Sequence, residues 1–180
     1  GSLSARIDQD AFLITPYRVD RQSLDLEDLI VVRGGKCPAG VQPSRAAHLH
    51  GAIYAAHPEM NAVINALPVS ATAFSVSDAV LDTRTIPESF LFLKDVPKLA
   101  YETLHRQPEA VAQAMCPDNP VALLEHNGAL VAGKTVLDAF DRLEVLEATA
   151  EAIIQSKPLG TITPMDDAVI DELLKAFGRV

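Results

Sequence analysis

Two sets of residues in this chain have the types and spacing to do chemistry. One is Gly128–Thr135, GALVAGKT, which fits the phosphate-cradling pattern G-x-x-x-x-G-K-[ST] letter for letter. The other is a set of five histidines, His48, His50, His57, His105 and His126, since imidazoles bind metals and carry protons near neutral pH. The first set weakens under physical reading. A phosphate loop presents backbone N–H groups from a tight, usually polar turn, whereas the middle of this stretch is Ala-Leu-Val-Ala, which favours a sheet. Asn127-Gly128 between two apolar runs is a strong hairpin signal, because a type I′ turn needs φ > 0 at both central residues. Only 45 residues follow Thr135, and they read as helical, too few to supply the other strands of a nucleotide-binding sheet. The reading is therefore an antiparallel hairpin followed by a capped helix, and nucleotide binding at 128–135 is rejected.

The histidines do not form an obvious metal site by spacing. His48 and His50, two apart on a helix, point roughly 200° apart around its axis and cannot chelate one ion together. His57, before Pro58, and His105, in a polar stretch, read as surface residues. Cys37 and Cys116 stand in no metal-type spacing; two free thiols in a reducing compartment are expected, with one disulfide as the alternative. A net charge of −9 argues against nucleic acid as a partner. It leaves room for a small anion held in a local positive pocket.

The elements that must position these residues follow from the apolar patterning. Hydrophobic residues make up 48% of the 180, enough for a packed core. No apolar run approaches the ~18 residues of a membrane span, and GSLSARID holds no apolar stretch of a signal peptide; a cytoplasmic protein is expected. Ser4–Ile7 and Ala11–Thr15 read as a hairpin, Leu24–Asp28 as a helical turn and Leu29–Arg33 as a strand stopped by Gly34-Gly35. Ser44–His57 reads as a helix with Leu49, Ala52, Ile53 and Ala56 as its buried stripe. Asn61–Ala66 reads as a strand, Val69–Val76 as a short helix, Ser89–Leu93 as a strand and Pro108–Met115 as a helix. The hairpin then leads into a long helix, Val136–Ser156, started by Thr135 with Asp138. Thr163, Pro164 and Asp166 start a last helix that ends near Phe177. The mixture predicts a three-layer α/β/α domain over residues 1–180.

Several pieces, in order, resemble the class II aldolase/adducin family. VALLEHNGALVAGKTVLDAFDRLEVLE is similar to its late strand–turn–strand–helix. GSLSAR is similar to its Gly-Asn-x-Ser-x-Arg opening, and AFLITP to its phosphate-site strand. QPSRAAHLHGAIYAAHPEMNAVINALP is similar to its Pro-Ser-Ser-Glu helix and metal-binding strand, and DTRTIPESFLFLKDVPKLAY falls at its β-rich segment. The likeness covers about residues 1–150. It implies a central, mostly antiparallel sheet and a helical segment ahead of residue 1. It also gives Gly1-Ser2, otherwise readable as a tag remnant, a native reading. It implies cleavage or formation of carbon–carbon bonds in sugar phosphates, with three histidines holding a zinc-like ion and a glutamate moving the proton. Cyclic tetramers with sites between subunits are implied as well.

The residues depart from that pattern at each catalytic position. The His-x-His before proline is matched by Asn65-Ala66-Leu67-Pro68, the turn histidine by Asn127, and the glutamate by Ala46. His126 stands one place early, and a one-residue step on a strand reverses the side chain's face. No zinc is therefore expected, unless His50, His126, Asn65 and Glu125 form a rewired site. At the positions matching the family's phosphate contacts stand Gly1-Ser2, Tyr17-Arg18 and Ser44-Arg45. Ser2, Arg18, Ser44 and Arg45 become the candidate anion-binding residues, because arginine forks suit phosphate and carboxylate and Ser44 sits at a helix start. Two readings follow: an aldolase-like fold that has lost zinc chemistry and binds a small anion or serves assembly, and an active aldehyde-lyase with a rewired metal. Either is expected as a homo-oligomer.

Overall fold

A computed structural model of the chain describes residues 1–177, apart from the side chains at positions 104 and 105. Its centre is a seven-stranded sheet. The strands are β1 (Ser2–Arg6), β2 (Ala11–Ile14), β3 (Ile30–Arg33), β4 (Ala62–Ala66), β5 (Lys98–Leu99), β6 (Val121–Leu124) and β7 (Gly128–Gly133). They lie in the order β3-β2-β1-β4-β7-β6-β5. Every pairing is antiparallel except β5 with β6.

The period-2 alternation of the central strands divides their side chains between two cores. Val63, Ala122, Leu124, Leu130 and Ala132 pack on one face with Leu49 and Ile53 of α1 (Ala47–Ala56) and Val111 of α5 (Pro108–Ala114). Ala62, Ile64, Val121, Leu123 and Val131 pack on the other. There they meet Phe74 of α2 (Val69–Ser75) and Leu146 and Ala150 of α6 (Val136–Ser156). With both faces covered, the strands read as continuous apolar runs, and the expected three layers are present.

Three local expectations are corrected. Ser89–Leu93 is not a strand but part of helix α3 (Pro87–Leu93). Pro87 occupies its first turn, where the missing N–H is harmless. Ser89 and Leu93, four apart, are buried toward α6, and the Ser89 hydroxyl meets Thr149 Oγ1 at 2.6 Å. A short apolar run carries no periodicity able to separate the two states. The 120s hairpin is not closed by a type I′ turn with positive φ at Asn127 and Gly128. The left-handed residues are His126 (φ 56°) and Gly128 (φ 80°), and the Asn127 N–H reaches Leu124 O at 2.9 Å. Neighbours reshape the turn: Glu125 N–H bonds Leu99 O and His126 N–H bonds Ser75 O. Finally, His57 is not a surface residue. Its side chain is 15% exposed and Nε2 lies 2.7 Å from Ala112 O, tying α1 to α5. His105 lies outside the described side chains.

Gly128–Gly133 is strand β7, buried along its whole length, so the phosphate-loop pattern has no loop. Thr135 Oγ1 caps α6 by accepting the Asp138 N–H at 3.0 Å, while Asp138 accepts from Lys134 rather than Thr135. The short helix α4 (Tyr101–Arg106) follows β5, and the last helix, α7, runs Asp167–Phe177.

Candidate functional site

Strand register brings distant residues to one end of the sheet. Ser2 pairs with Asn65, Ser4 with Ile14, and Ala66 with Ala129. The start of β1, the end of β2, the end of β4 and the β6–β7 turn must therefore lie side by side. The loop before α1 joins them through Tyr17 N–H to Gln42 O at 2.9 Å and Ser44 N–H to Thr15 O at 3.1 Å. Between these segments lies a cavity of about 640 Å³.

All four candidate anion-binding residues, Ser2, Arg18, Ser44 and Arg45, line this cavity. So do Ala46, Asn65, Leu67, His126 and Asn127. Ser44 Oγ accepts the Ala46 N–H at 3.3 Å just ahead of α1. Asn65 donates from Nδ2 to Ala129 O at 3.2 Å. His126, carried on its left-handed turn, is exposed at the rim.

Tyr17, named with Arg18 at a phosphate-contact position, also lines the cavity; Arg18 Cζ lies 5.2 Å and Arg45 Cζ 5.5 Å from its ring centroid. Such contacts fix the direction of otherwise mobile arginines. Arg18 has φ 58°, a left-handed conformation that costs a residue with a Cβ about 1–2 kcal/mol. Arg21 lines the cavity too. It donates to Gly1 O from Nε and Nη2 at 3.2 and 3.0 Å, and to Val19 O at 2.8 Å. Its one sequence signal is Asp20, whose carboxylate caps the turn that carries it. His48 and Tyr101 also line the cavity, with Gly1, Leu49 and Pro108.

Among the described residues, three arginines and no aspartate or glutamate line this cavity, in a chain of net charge −9. The three guanidiniums make the local charge positive. The wall holds two histidines, His48 and His126.

His50 does not line the cavity. It is fully buried, with Nε2 3.2 Å from Ser2 Oγ and Nδ1 2.7 Å from Ser4 Oγ. Burial pushes its pKa down to about 3, so the ring is neutral at physiological pH with both nitrogens engaged. Of the proposed rewired set, the cavity collects Asn65 and His126 but neither His50 nor Glu125. Glu125 accepts the Tyr101 N–H at 3.1 Å.

This sheet, with its cavity at the strand ends, is an aldolase-type fold. The family described as Class II Aldolase and Adducin N-terminal domain matches residues 1–154. L-fuculose phosphate aldolase of Methanococcus vannielii is 32% identical over 152 residues, covering 84% of this chain and 82% of that protein. The 3-oxo-tetronate 4-phosphate decarboxylase of Haemophilus influenzae is 30% identical over 167 residues, covering 84% and 75%. The crystal structure of YgbL from Escherichia coli superposes with a TM-score of 0.83 at 27% identity, covering 96% of this chain and 86% of that one. The chain belongs to the class II aldolase/adducin family.

Proposed function

We propose that this protein holds a small phosphate- or carboxylate-bearing molecule in the Arg18–Arg21–Arg45 cavity and has lost the zinc-dependent aldol cleavage that its resemblance implies. The observation that carries the reading is the composition of the wall: guanidiniums, hydroxyls, amides and two imidazoles, with no carboxylate side chain among the described residues. Bidentate N–H donors recognise phosphate and carboxylate oxygens alike. The relatives named for L-fuculose phosphate and 3-oxo-tetronate 4-phosphate support a phosphorylated, hydroxylated ligand of sugar size. At Ala46, Asn65, Leu67 and Asn127 this chain offers no imidazole and no carboxylate, which supports loss of the proton-moving and metal-holding groups.

The test is calorimetric titration with inorganic phosphate, alongside metal analysis and a retro-aldol assay on L-fuculose 1-phosphate. Phosphate binding that weakens about tenfold in Arg45→Gln, with no cleavage, is expected. Failure of the wild-type protein to bind phosphate or a small carboxylate overturns the anion reading. Cleavage dependent on added zinc would instead establish an aldehyde-lyase with rewired ligands, the reading that His126 at the rim favours.

A homo-oligomer in the cytoplasm completes the proposal. Val69 at 83% exposure, Leu137 at 67% and Phe140 at 47% leave apolar surface at the starts of α2 and α6. Cys37 and Cys116 are free thiols. No helix among the described residues is long and apolar enough to cross a membrane.

A further inference from the structure

Behind the cavity wall runs a chain of four buried polar groups. Ser2 Oγ lies 3.2 Å from His50 Nε2, His50 Nδ1 lies 2.7 Å from Ser4 Oγ, and Ser4 Oγ lies 2.8 Å from the Tyr54 hydroxyl. Ser4 and His50 are wholly buried, and Ser2 and Tyr54 are each 5% exposed. Of the four, Ser2 alone lines the arginine cavity.

Each hydroxyl and each neutral imidazole carries one polar hydrogen, so the chain must run in one of two directions. Running inward, Ser2 donates to Nε2, Nδ1–H donates to Ser4, and Ser4 donates to Tyr54. The buried phenol hydrogen then needs a further acceptor. Among the described residues, Ser4 is the side-chain partner of that oxygen. An inward chain thus strands a buried O–H, which is unfavourable. Running outward, Tyr54 donates to Ser4, Ser4 donates to Nδ1, Nε2–H donates to Ser2, and the Ser2 hydrogen is left for the cavity.

We propose that His50 is a positioning residue that, as its Nε2–H tautomer, turns the Ser2 hydroxyl into a hydrogen-bond donor toward an anion in the arginine cavity. The opposite tautomer would face the anion with the Ser2 lone pairs. Depression of the His50 pKa to about 3 keeps one nitrogen available as the acceptor that the relay needs. The inference about the ligand rests on the anion reading above; the polarity of the relay does not.

Nitrogen-15 NMR of histidine-labelled protein reads the tautomer directly without ligand. Wild type is expected to show His50 protonated at Nε2 alone at about pH 7. Ser2→Ala is expected to weaken phosphate binding about tenfold with Arg18 and Arg45 untouched. His50→Gln, which removes the imidazole that orients the Ser2 hydroxyl, is expected to lose a similar factor alone and nothing further in the Ser2→Ala background, because the relay then has no end to deliver. A purely structural His50 would add its loss to that of Ser2→Ala. An Nδ1–H tautomer in the wild type, or additive losses, overturns the proposal. An Nε2–H tautomer in a protein that does not bind phosphate overturns the anion reading and leaves the relay polarity standing.

Discussion

His50→Gln should remove most of the acid sensitivity that His50 gives the fold. The imidazole is fully buried and its pKa is pushed down to about 3 by desolvation, against about 6.5 in an unfolded chain. The groups it meets are the hydroxyls of Ser2 and Ser4 on β1. The Tyr54 hydroxyl lies beyond them, its ring under the Arg6 guanidinium at 4.7 Å. None of these is an anion that would favour imidazolium. The sign follows: below about pH 6.5 the unfolded chain binds a proton that the folded chain refuses, so stability falls as pH falls until about pH 3. Above about pH 6.5 this group contributes no pH dependence. At about 1.4 kcal/mol per pH unit, wild type loses about 3 kcal/mol through His50 between about pH 6.5 and 4.5. The glutamine variant should start about 1–3 kcal/mol less stable near pH 7, through imperfect hydrogen bonds to the two serines. The two stability curves should therefore converge or cross near pH 4.5. Urea unfolding midpoints of both proteins across this range test it, since other titrating groups cancel in the difference. Parallel curves would refute the reasoning, because they require His50 to titrate alike in the folded and unfolded states.

Other perturbations address the cavity and its frame. Arg18→Gly should weaken phosphate binding about tenfold while leaving thermal stability level or up to about 1 kcal/mol higher, because glycine accepts φ 58° without strain; a clear loss of stability would contradict this. Gly128→Ala should destabilise by about 2 kcal/mol or more, since φ is 80° and the new Cβ would run into the Ala66 carbonyl oxygen; chemical denaturation reads it. Raising salt should weaken phosphate binding steadily, as screened arginines lose their hold, and calorimetry at several ionic strengths that showed no trend would point to a site other than the arginine wall.

What the sequence made legible was whatever depends on near neighbours. Short apolar runs bounded by turn residues located β1, β2, β3, β4, β6 and β7, and the Leu49/Ile53 stripe located α1. Ser89–Leu93 was misread because its helical state is decided by packing on α6 and by Pro87 ahead of it. The positive φ of Arg18 left no trace in residue type, since that conformation normally selects glycine or asparagine. Arg21 was missed because its place depends on reaching Gly1 O across twenty residues. The relay was half visible: Ser2 and Ser4, two apart on a strand, share a face, as do His50 and Tyr54, four apart on a helix. Only the packing of α1 on β1 joins the two halves, and no local pattern contains it.

Some of the costly features of this molecule lie at the cavity. A left-handed arginine and, on the proposed relay, a buried hydroxyl whose hydrogen points out of its own network are each unfavourable for the fold alone. Neither is needed to close the sheet, whose pairs run through Ala, Val, Leu and Ile on both faces. On the proposed reading one ligand answers both: an anion in the cavity meets the Arg18 guanidinium and accepts the Ser2 hydrogen.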